Sequence, residues 1–359
     1  MTPTPEQLGA VVVARCRALG FGAAGVCRPG EIEHAKELVE WLEAGKNGSM
    51  AWFGENIRHR LDPGGLLNGC KSVIVVADLY ARRGDQDDQV PEGAGKVARY
   101  ARGRDYHRTI KQRLKKLTRG LDLEWPGHRF RPMVDVMPIH EREMAARAGI
   151  GWVGKHTLII HPRLGSWFML GCVLTTMDIA PTATGPEPDH CGTCTRCIDA
   201  CPTGAITPYS VDASRCVSYL TIERRQAIAP EFHAAMGNWL YGCDICQDVC
   251  PHNNPGGREP EAQVHPSYAN EHAWLDLLGV LGWTEAEFEH KFLGTAVRRV
   301  TLAMLKRNAI IVAGNMLARE TDARSVALLD RLREIAGDSS EPELVREAAA
   351  RVVERPGAL

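Results

Sequence analysis

Two cysteine runs stand out in the 359-residue sequence. The first reads Cys-x2-Cys-x2-Cys-x3-Cys-Pro from Cys191 to Pro202, and the second reads Cys-x2-Cys-x3-Cys-Pro from Cys243 to Pro251. In bacterial two-cluster ferredoxins, this spacing holds two [4Fe–4S] cubes, and the last cysteine of each run ligates the other cube. The runs therefore predict that the chain moves electrons.

The second run is one cysteine short of a full ligand set. Cys216 lies between the runs and is the natural candidate for the missing ligand. With it, each cube receives four thiolates. The predicted ligands are Cys191, Cys194, Cys197 and Cys250 for cluster 1, and Cys201, Cys216, Cys243 and Cys246 for cluster 2.

Zinc and disulfides are the alternative uses of such cysteines. A structural zinc site needs four ligands, and the pattern of the first run, with its second Cys-x2 spacing and following proline, contains more than a zinc site requires. Disulfides form in oxidising compartments, but residues 1–20 lack the basic start and apolar core of a signal peptide. The remaining cysteines sit singly in apolar contexts and are predicted to be buried, inert thiols; they are Cys16, Cys27, Cys70 and Cys172.

Composition narrows the class of protein. The 43 basic and 44 acidic residues leave a formal net charge of −1, so no whole-molecule field attracts a polyanion. No apolar run approaches the length of a membrane span. We expect a soluble, cytoplasmic protein of two or three domains, in which a substrate-handling part accompanies the clusters.

The elements that position the cysteines follow from hydrophobic patterning. Residues 1–180 read as mixed α/β, with a fully covered strand at 72–77 and an amphipathic helix over 106–119 that carries many cations. A linker rich in proline, threonine and glycine spans 181–190. We predict a ferredoxin-like domain over 181–260 and short amphipathic helices over 261–359, whose arrangement looks like HEAT-type hairpins.

The segment around Asp135 is the second unusual feature. A strand over 133–136 brings Asp135 to its end, Pro138 is predicted to open a helix, and glycines over 149–154 allow close backbone approach to a bulky group. This arrangement suits a cofactor, although Asp135 would also serve as a simple helix cap. The glycines resemble a phosphate loop only weakly, because His156 stands where a Walker motif has Ser or Thr.

Several segments together resemble the epoxyqueuosine reductases of tRNA modification. They are Val-Asp-x-x-Pro at 134–138, Gly-Trp-Val-Gly-Lys at 151–155, Leu-Gly-Ser-Trp at 164–167, the first cysteine run, 216–223 and Tyr-Gly-Cys-Asp at 241–244. The resemblance covers nearly the whole chain. His156, where the family commonly has Asn, and Ile245, where polar residues are frequent, are small departures.

The resemblance implies a cobalamin-dependent enzyme that reduces epoxyqueuosine to queuosine at the wobble position of tRNA with a GUN anticodon. This reaction is the last step of queuosine biosynthesis. Two [4Fe–4S] clusters would pass electrons from an external low-potential donor to the cobalt of a base-off cobalamin, since no Asp-x-His-x-x-Gly motif is present. The implied architecture is an α/β cobalamin-binding domain similar to that of reductive dehalogenases, a ferredoxin-like domain and HEAT-like helical repeats that bind tRNA. We expect a monomer.

The resemblance also implies roles for particular residues. Asp135 matches the family's proton donor, and we hypothesise that burial raises the pKa of its carboxyl. The matching cobalamin contacts are Arg58, Asp135, Lys155, Ile159, Leu170 and Ser218. Cations expected to contact tRNA are Arg298, Arg299, Lys306 and Arg307, although charged helix faces are commonly just solvated. The rival hypotheses are another corrinoid iron–sulfur reductase of the dehalogenase type and a plain electron-transfer protein.

Overall fold

The structure is a computed structural model that describes residues 3–85, 87, 89–254, 263–319 and 322–354. Within these ranges no helix is both long enough and apolar enough to cross a membrane. The described helices are α1 (Pro5–Ala18), α2 (Ala35–Glu43), α3 (Ile57–Leu61), α4 (Tyr106–Glu124), α5 (Glu141–Arg147), α6 (Arg196–Asp199), α7 (Val217–Ile222), α8 (His233–Met236), α9 (Ile245–Asp248), α10 (Leu277–Gly282), α11 (Glu285–Lys291), α12 (Leu302–Leu317), α13 (Ala323–Gly337) and α14 (Glu343–Val353). The described strands are β1 (Ala23–Cys27), β2 (Ser72–Leu79), β3 (Ala94–Val97), β4 (Phe130–Met133), β5 (Trp152–Val153), β6 (Ile159–Ile160), β7 (Phe168–Thr175), β8 (Ile206–Thr207), β9 (Ser210–Val211), β10 (Trp239–Tyr241) and β11 (Trp274–Asp276).

A four-stranded antiparallel sheet forms the centre of the N-terminal part. Its strand order is β1-β2-β7-β4. Every residue of β2 is buried, as the continuous apolar run at 72–77 predicted. Apolar side chains of α1 and α4 cover one face, and those of α5 cover the other. The sheet is therefore the middle layer of three.

The chain after β4 differs from the prediction made for it. β4 ends at Met133, before Asp135, and the helix begins at Glu141, so the prediction that Pro138 opens it is wrong. Asp135 has a φ of 51°, in the left-handed region that few non-glycine residues adopt. The chain therefore turns at Asp135 and runs irregularly to α5.

A second sheet ties distant parts of the chain together. In the order β10-β3-β11, the central strand β3 pairs in parallel with β10 and antiparallel with β11. Each strand comes from a different predicted domain. The domain boundaries stay a prediction, and the boundary at 260/261 lies outside the described residues.

The C-terminal helices share one hydrophobic core. The almost wholly apolar α12 lies at its centre, against α10, α13 and α14, and also contacts α7 and β10. A capping box joins Thr284 to Glu287 at the start of α11. The HEAT-like character of these helices stays a prediction.

Candidate active site

Four cysteines from both runs surround a small cavity. Cys191, Cys194, Cys197 and Cys250 line about 50 Å³ of space, so the structure brings the predicted cluster 1 set together. Burial, together with the neighbouring thiols of the first run, raises the pKa of the Cys250 thiol to about 11. Cys250 thus crosses from the end of α9 to the loop that precedes α6, as the ferredoxin spacing predicts.

The predicted cluster 2 cysteines line a second, larger cavity of about 520 Å³. Cys201 follows α6, Cys216 precedes α7, and Cys243 and Cys246 flank the start of α9. Burial raises the pKa of the Cys243 thiol, and the thiols of Cys216 and Cys201 also act to raise it. The structure therefore brings Cys216 together with the three cysteines of its predicted set.

The β5–β6 hairpin lies between the two cavities. Lys155, in its turn, donates hydrogen bonds from Nζ to the backbone carbonyls of Gly192 at 2.6 Å and Cys194 at 3.0 Å. This places Lys155 at the cluster 1 cavity rather than in the wall of the larger one. The next residue, His156, lines both cavities, and its Nε2 is buried without a hydrogen-bond partner among the described residues.

Asp135 lies in the wall of the larger cavity, on the same side as the start of α4. Its carboxylate accepts a hydrogen bond from the hydroxyl of Tyr106, and its Oδ2 lies 3.2 Å from Nε2 of His107. Its backbone amide donates to Oε1 of Glu141 at 3.0 Å. Three side chains thus fix the left-handed turn at Asp135 and aim its carboxylate into the cavity.

The charges around Asp135 differ from the hypothesis based on the sequence. Desolvation in the cavity wall acts to raise the pKa of Asp135, whose side chain is 57% exposed, but the imidazole of His107 beside it and the hydrogen bond from Tyr106 lower it more, and the net shift is downward. Burial, with the charge of Asp135, raises the pKa of Glu141 to about 8. Burial acts to lower the pKa of His107, yet Asp105 and Asp135 raise it to about 9. Near neutral pH, Asp135 is therefore ionised, His107 is cationic and Glu141 is largely neutral.

Three of the predicted cobalamin contacts line the larger cavity besides Asp135. They are Ile159, Leu170 and Ser218. Arg58 is exposed on α3, away from this wall. Its neighbour Arg60 is buried and electrostatically coupled to Asp135 and Glu141. The arginine of α3 that acts on the cavity in this structure is therefore Arg60.

Two of the four cations expected to contact tRNA are engaged inside the protein. Lys306 is 6% exposed and pairs with Glu341 at 2.5 Å. Arg307 is 1% exposed, and its guanidinium donates hydrogen bonds to the backbone carbonyls of Leu220, Arg224 and Gln226. Arg298 and Arg299 lie at the surface, where Arg298 pairs with Glu289 at 3.1 Å and Arg299 with Glu223 at 2.9 Å.

Comparison with known proteins identifies the relatives of this chain. Residues 60–136 match a family model described as epoxyqueuosine reductase QueG, DUF1730, and residues 190–253 match a 4Fe-4S double cluster binding domain. An epoxyqueuosine reductase of Synechococcus sp. strain CC9605 is 40% identical over 318 residues, which are 86% of this chain and 95% of the relative. The chain belongs to the epoxyqueuosine reductase family.

Other members of the epoxyqueuosine reductase family, which are oxidoreductases, agree with this assignment. The Vibrio cholerae serotype O1 enzyme is 41% identical over 313 residues, 86% of this chain and 84% of that protein. A crystal structure of an epoxyqueuosine reductase with a tRNA-Tyr epoxyqueuosine-modified stem loop superposes with a TM-score of 0.85 at 29% identity, over 98% of this chain and 90% of that one. The Bacillus subtilis enzyme, with its catalytic aspartate loop swung out of the active site, gives 0.84 at 27% identity, over 97% and 90%.

Sequence reasoning missed several residues that surround Asp135 in this epoxyqueuosine reductase family member. Tyr106, His107 and Glu141 lie against it, although the sequence predicted only Asp135. A signal was available, because Asp105 is a typical N-cap residue and therefore places Tyr106 and His107 in the first turn of α4. The sequence does not show that the N-terminus of α4 faces the larger cavity; the tertiary fold does.

Proposed function

We propose that the protein reduces epoxyqueuosine to queuosine at the wobble position of tRNA with a GUN anticodon, the last step of queuosine biosynthesis. One observation carries the proposal: Asp135 and the four cysteines predicted for cluster 2 line the same cavity. A source of protons and the end of an electron path thus meet in one place. Reduction of an epoxide to an alkene needs both, because it consumes two electrons and two protons and releases one water.

The cysteine positions support a direction for the electrons. The loop of cluster 1 is open to solvent at Gly192 and Thr193, whereas the cluster 2 cysteines face the large cavity. Cys197 of cluster 1 is within electrostatic reach of Cys246 of cluster 2. An external low-potential donor would therefore reduce cluster 1, which would pass electrons to cluster 2 and then to the cavity. Two groups of four thiols suit two [4Fe–4S] clusters.

The lining of the larger cavity supports the binding of a bulky, flat cofactor. Its volume lies within the range of small-molecule sites, and Ile159, Phe168, Met169 and Leu170 give it an apolar wall. We propose that base-off cobalamin binds there, with Ser218 as a polar contact near cluster 2. Cobalamin in its most reduced state supplies a strong nucleophile and reductant. The protein's own residues would orient the epoxide and deliver protons to its oxygen.

The tRNA would approach the mouth of this cavity. The relative crystallised with an epoxyqueuosine-modified stem loop supports this partner. Arg299 is exposed, and its charge acts on Asp135, so it lies where an anticodon phosphate would come near the site. Arg298 flanks it. We further propose that the protein is a monomer with the three predicted domains, which are a cobalamin-binding domain related to that of reductive dehalogenases, a ferredoxin-like domain and a HEAT-like domain. It would act in the cytoplasm, where thiols stay reduced.

Anaerobic reconstitution with iron, sulfide and cobalamin tests the proposal. The protein would be incubated with a chemical reductant and tRNA that contains epoxyqueuosine, and the nucleosides would be analysed by mass spectrometry. Queuosine should form only when cobalamin and reductant are both present. Cluster reduction without nucleoside conversion would favour a plain electron-transfer protein, and halide release from a halogenated aromatic without tRNA turnover would favour a dehalogenase-type reductase.

A further inference from the structure

The proposed reaction, on which this inference rests, requires that two protons reach the epoxide oxygen near Asp135. The epoxide oxygen leaves as water, so both protons end on the same atom. The first proton joins the oxygen when one C–O bond breaks, and the second joins when the other C–O bond breaks. A single carboxyl that delivers both protons to that oxygen is therefore protonated twice in each turnover.

The surroundings of Asp135 favour its ionised form at neutral pH. Its carboxylate is flanked by donors, which keep the pKa of Asp135 below its usual value. Each proton that it delivers must then come from a neighbour. The neighbour has to touch the carboxylate, carry a proton at neutral pH and recover it from water.

His107 meets these conditions. Its Nε2 lies 3.2 Å from Oδ2 of Asp135, and its Nδ1 lies 2.8 Å from Oδ1 of Asp105. The contact between Nε2 and Asp135 has ion-pair distance without hydrogen-bond alignment. The side chains of His107 and Asp105 are each 32% exposed, and Nδ1 of His107 contacts Asp105, so a proton from water would reach the ring on the Asp105 side.

The charges that face His107 come from several elements. Asp105 and Asp135 favour the imidazolium, and Glu141 of α5 adds a partly titrating carboxyl nearby. Arg60 of α3 and Arg299 before α12 act on Asp135 from other sides. The carboxylates in direct contact outweigh burial and raise the pKa of His107 to about 9.

We propose that His107 supplies Asp135 with both protons that leave on the epoxide oxygen. In each step the Nε2–H bond breaks and an Oδ2–H bond forms; that O–H bond then breaks as the oxygen is protonated and a C–O bond cleaves. The two electrons come from the reduced cofactor of the proposed function. His107 regains a proton from water between the steps. Filling the cavity favours the transfer, because removing water destabilises an ion pair relative to its neutral form.

Two variants with a matched control test the relay. His107→Gln removes the titrating ring, Asp105→Asn removes one carboxylate that favours the imidazolium, and His128→Gln is the control outside the site. Iron content and the EPR signals of the reduced clusters verify that each variant is assembled. NMR of the imidazole nitrogens in the protein without cobalamin follows the charge state of His107, independently of turnover.

We expect wild-type turnover to fall as pH rises through about 9, because His107 then loses its proton. His107→Gln should slow turnover at pH 7 roughly tenfold or more and remove that basic limb. Asp105→Asn should shift both the limb and the NMR titration to lower pH, and His128→Gln should shift neither. A limb that survives in His107→Gln, or an imidazole that titrates near pH 6.5 in the wild type, would overturn the relay. Failure of wild-type tRNA reduction would instead count against the proposed function, and the NMR titration would still decide the state of His107.

Discussion

The backbone amide of Asp135 donates a 3.0 Å hydrogen bond to Oε1 of Glu141, so the first residue of α5 holds the turn that carries the proposed proton donor. The turn is otherwise unfavourable, because Asp135 has a φ of 51°. We infer that Glu141, by accepting this hydrogen bond, keeps the turn of Asp135 directed toward the cavity.

Glu141→Ala should release the turn. A net hydrogen bond contributes about 1 kcal/mol, so the ratio of the inward turn to the released turn should fall roughly fivefold, and turnover should fall with the inward population. Glu141→Gln keeps an acceptor oxygen and should retain most of the activity. Hydrogen exchange at 134–140 measures the release directly; equal protection in the two variants would contradict the role of Glu141.

Asp135→Asn removes the titrating proton while preserving side-chain shape. We expect turnover to fall by about 10²- to 10⁴-fold, the usual contribution of a positioned acid. Cluster EPR signals and cobalamin absorbance should not change. Asp330→Asn, which removes an exposed carboxylate of α13, provides the control. Full activity of Asp135→Asn would rule out its assignment as the proton donor.

If the last cysteine of each run ligates the cluster of the other run, double cysteine variants should lose iron in a characteristic pattern. Cys191→Ser and Cys250→Ser should each remove cluster 1, and combining them should remove no further iron. Combining Cys250→Ser with Cys216→Ser should remove both clusters, so iron content after reconstitution should fall from about eight atoms toward zero rather than to about four. Iron analysis of the two double variants distinguishes this pairing from ligation within each run.

Lys155 places a cation beside the loop of cluster 1. A positive charge stabilises the more negative reduced state of a cluster, so Lys155→Met should make cluster 1 harder to reduce. A tenfold change in the ratio of reduced to oxidised cluster corresponds to about 59 mV for one electron, and we expect a shift of this order. Lys155→Arg should leave the potential nearly unchanged. An EPR-monitored redox titration uses cluster 2 as the internal reference; a shift in cluster 2 alone would contradict this placement.

Arg299 and Arg307 should behave differently although both were predicted to contact tRNA. Arg299→Gln should weaken binding of a tRNA anticodon stem loop and lower the salt slope of the affinity by about one. Arg307→Met should leave that slope unchanged but destabilise the fold by on the order of 3 kcal/mol, because several buried carbonyls lose their donor. Arg333→Gln, at an exposed position of α13, controls for the loss of a cation. Denaturant unfolding and filter binding at several salt concentrations measure the two effects.

The cysteine ligand sets were accessible from the sequence because their geometry is local. Short loops with fixed spacing leave few ways to surround a cube, so counting thiols led to the grouping that the cavities display. The family motifs likewise located Asp135. The start of α5 was placed at Pro138 because proline is common at helix N-termini, but the left-handed turn at Asp135 delays the helix to Glu141.

The interior cations could not be read from charge alone. Lys306 and Arg307 look like a solvated face, yet α12 is apolar almost all round, which is typical of a buried helix. The apolar composition of this segment therefore predicts burial of Lys306 and Arg307, whereas their charge alone predicts contact with RNA. The pairing of Lys155 with the cluster 1 loop and of His107 with Asp135 joins segments far apart in the chain, and only the tertiary fold sets such contacts.

The sheet β10-β3-β11 determines whether the segment with the cysteine runs can be expressed separately from the rest of the chain. Because β3 bonds to strands from both other segments, excising residues 181–260 would leave β10 without its partner and the inner strand of this sheet with an open edge. We therefore do not expect the cysteine-bearing segment to fold on its own. Because β10 pairs with β3, and β3 with β11, its assembly is coupled to the N-terminal segment and, through β3, to the C-terminal one.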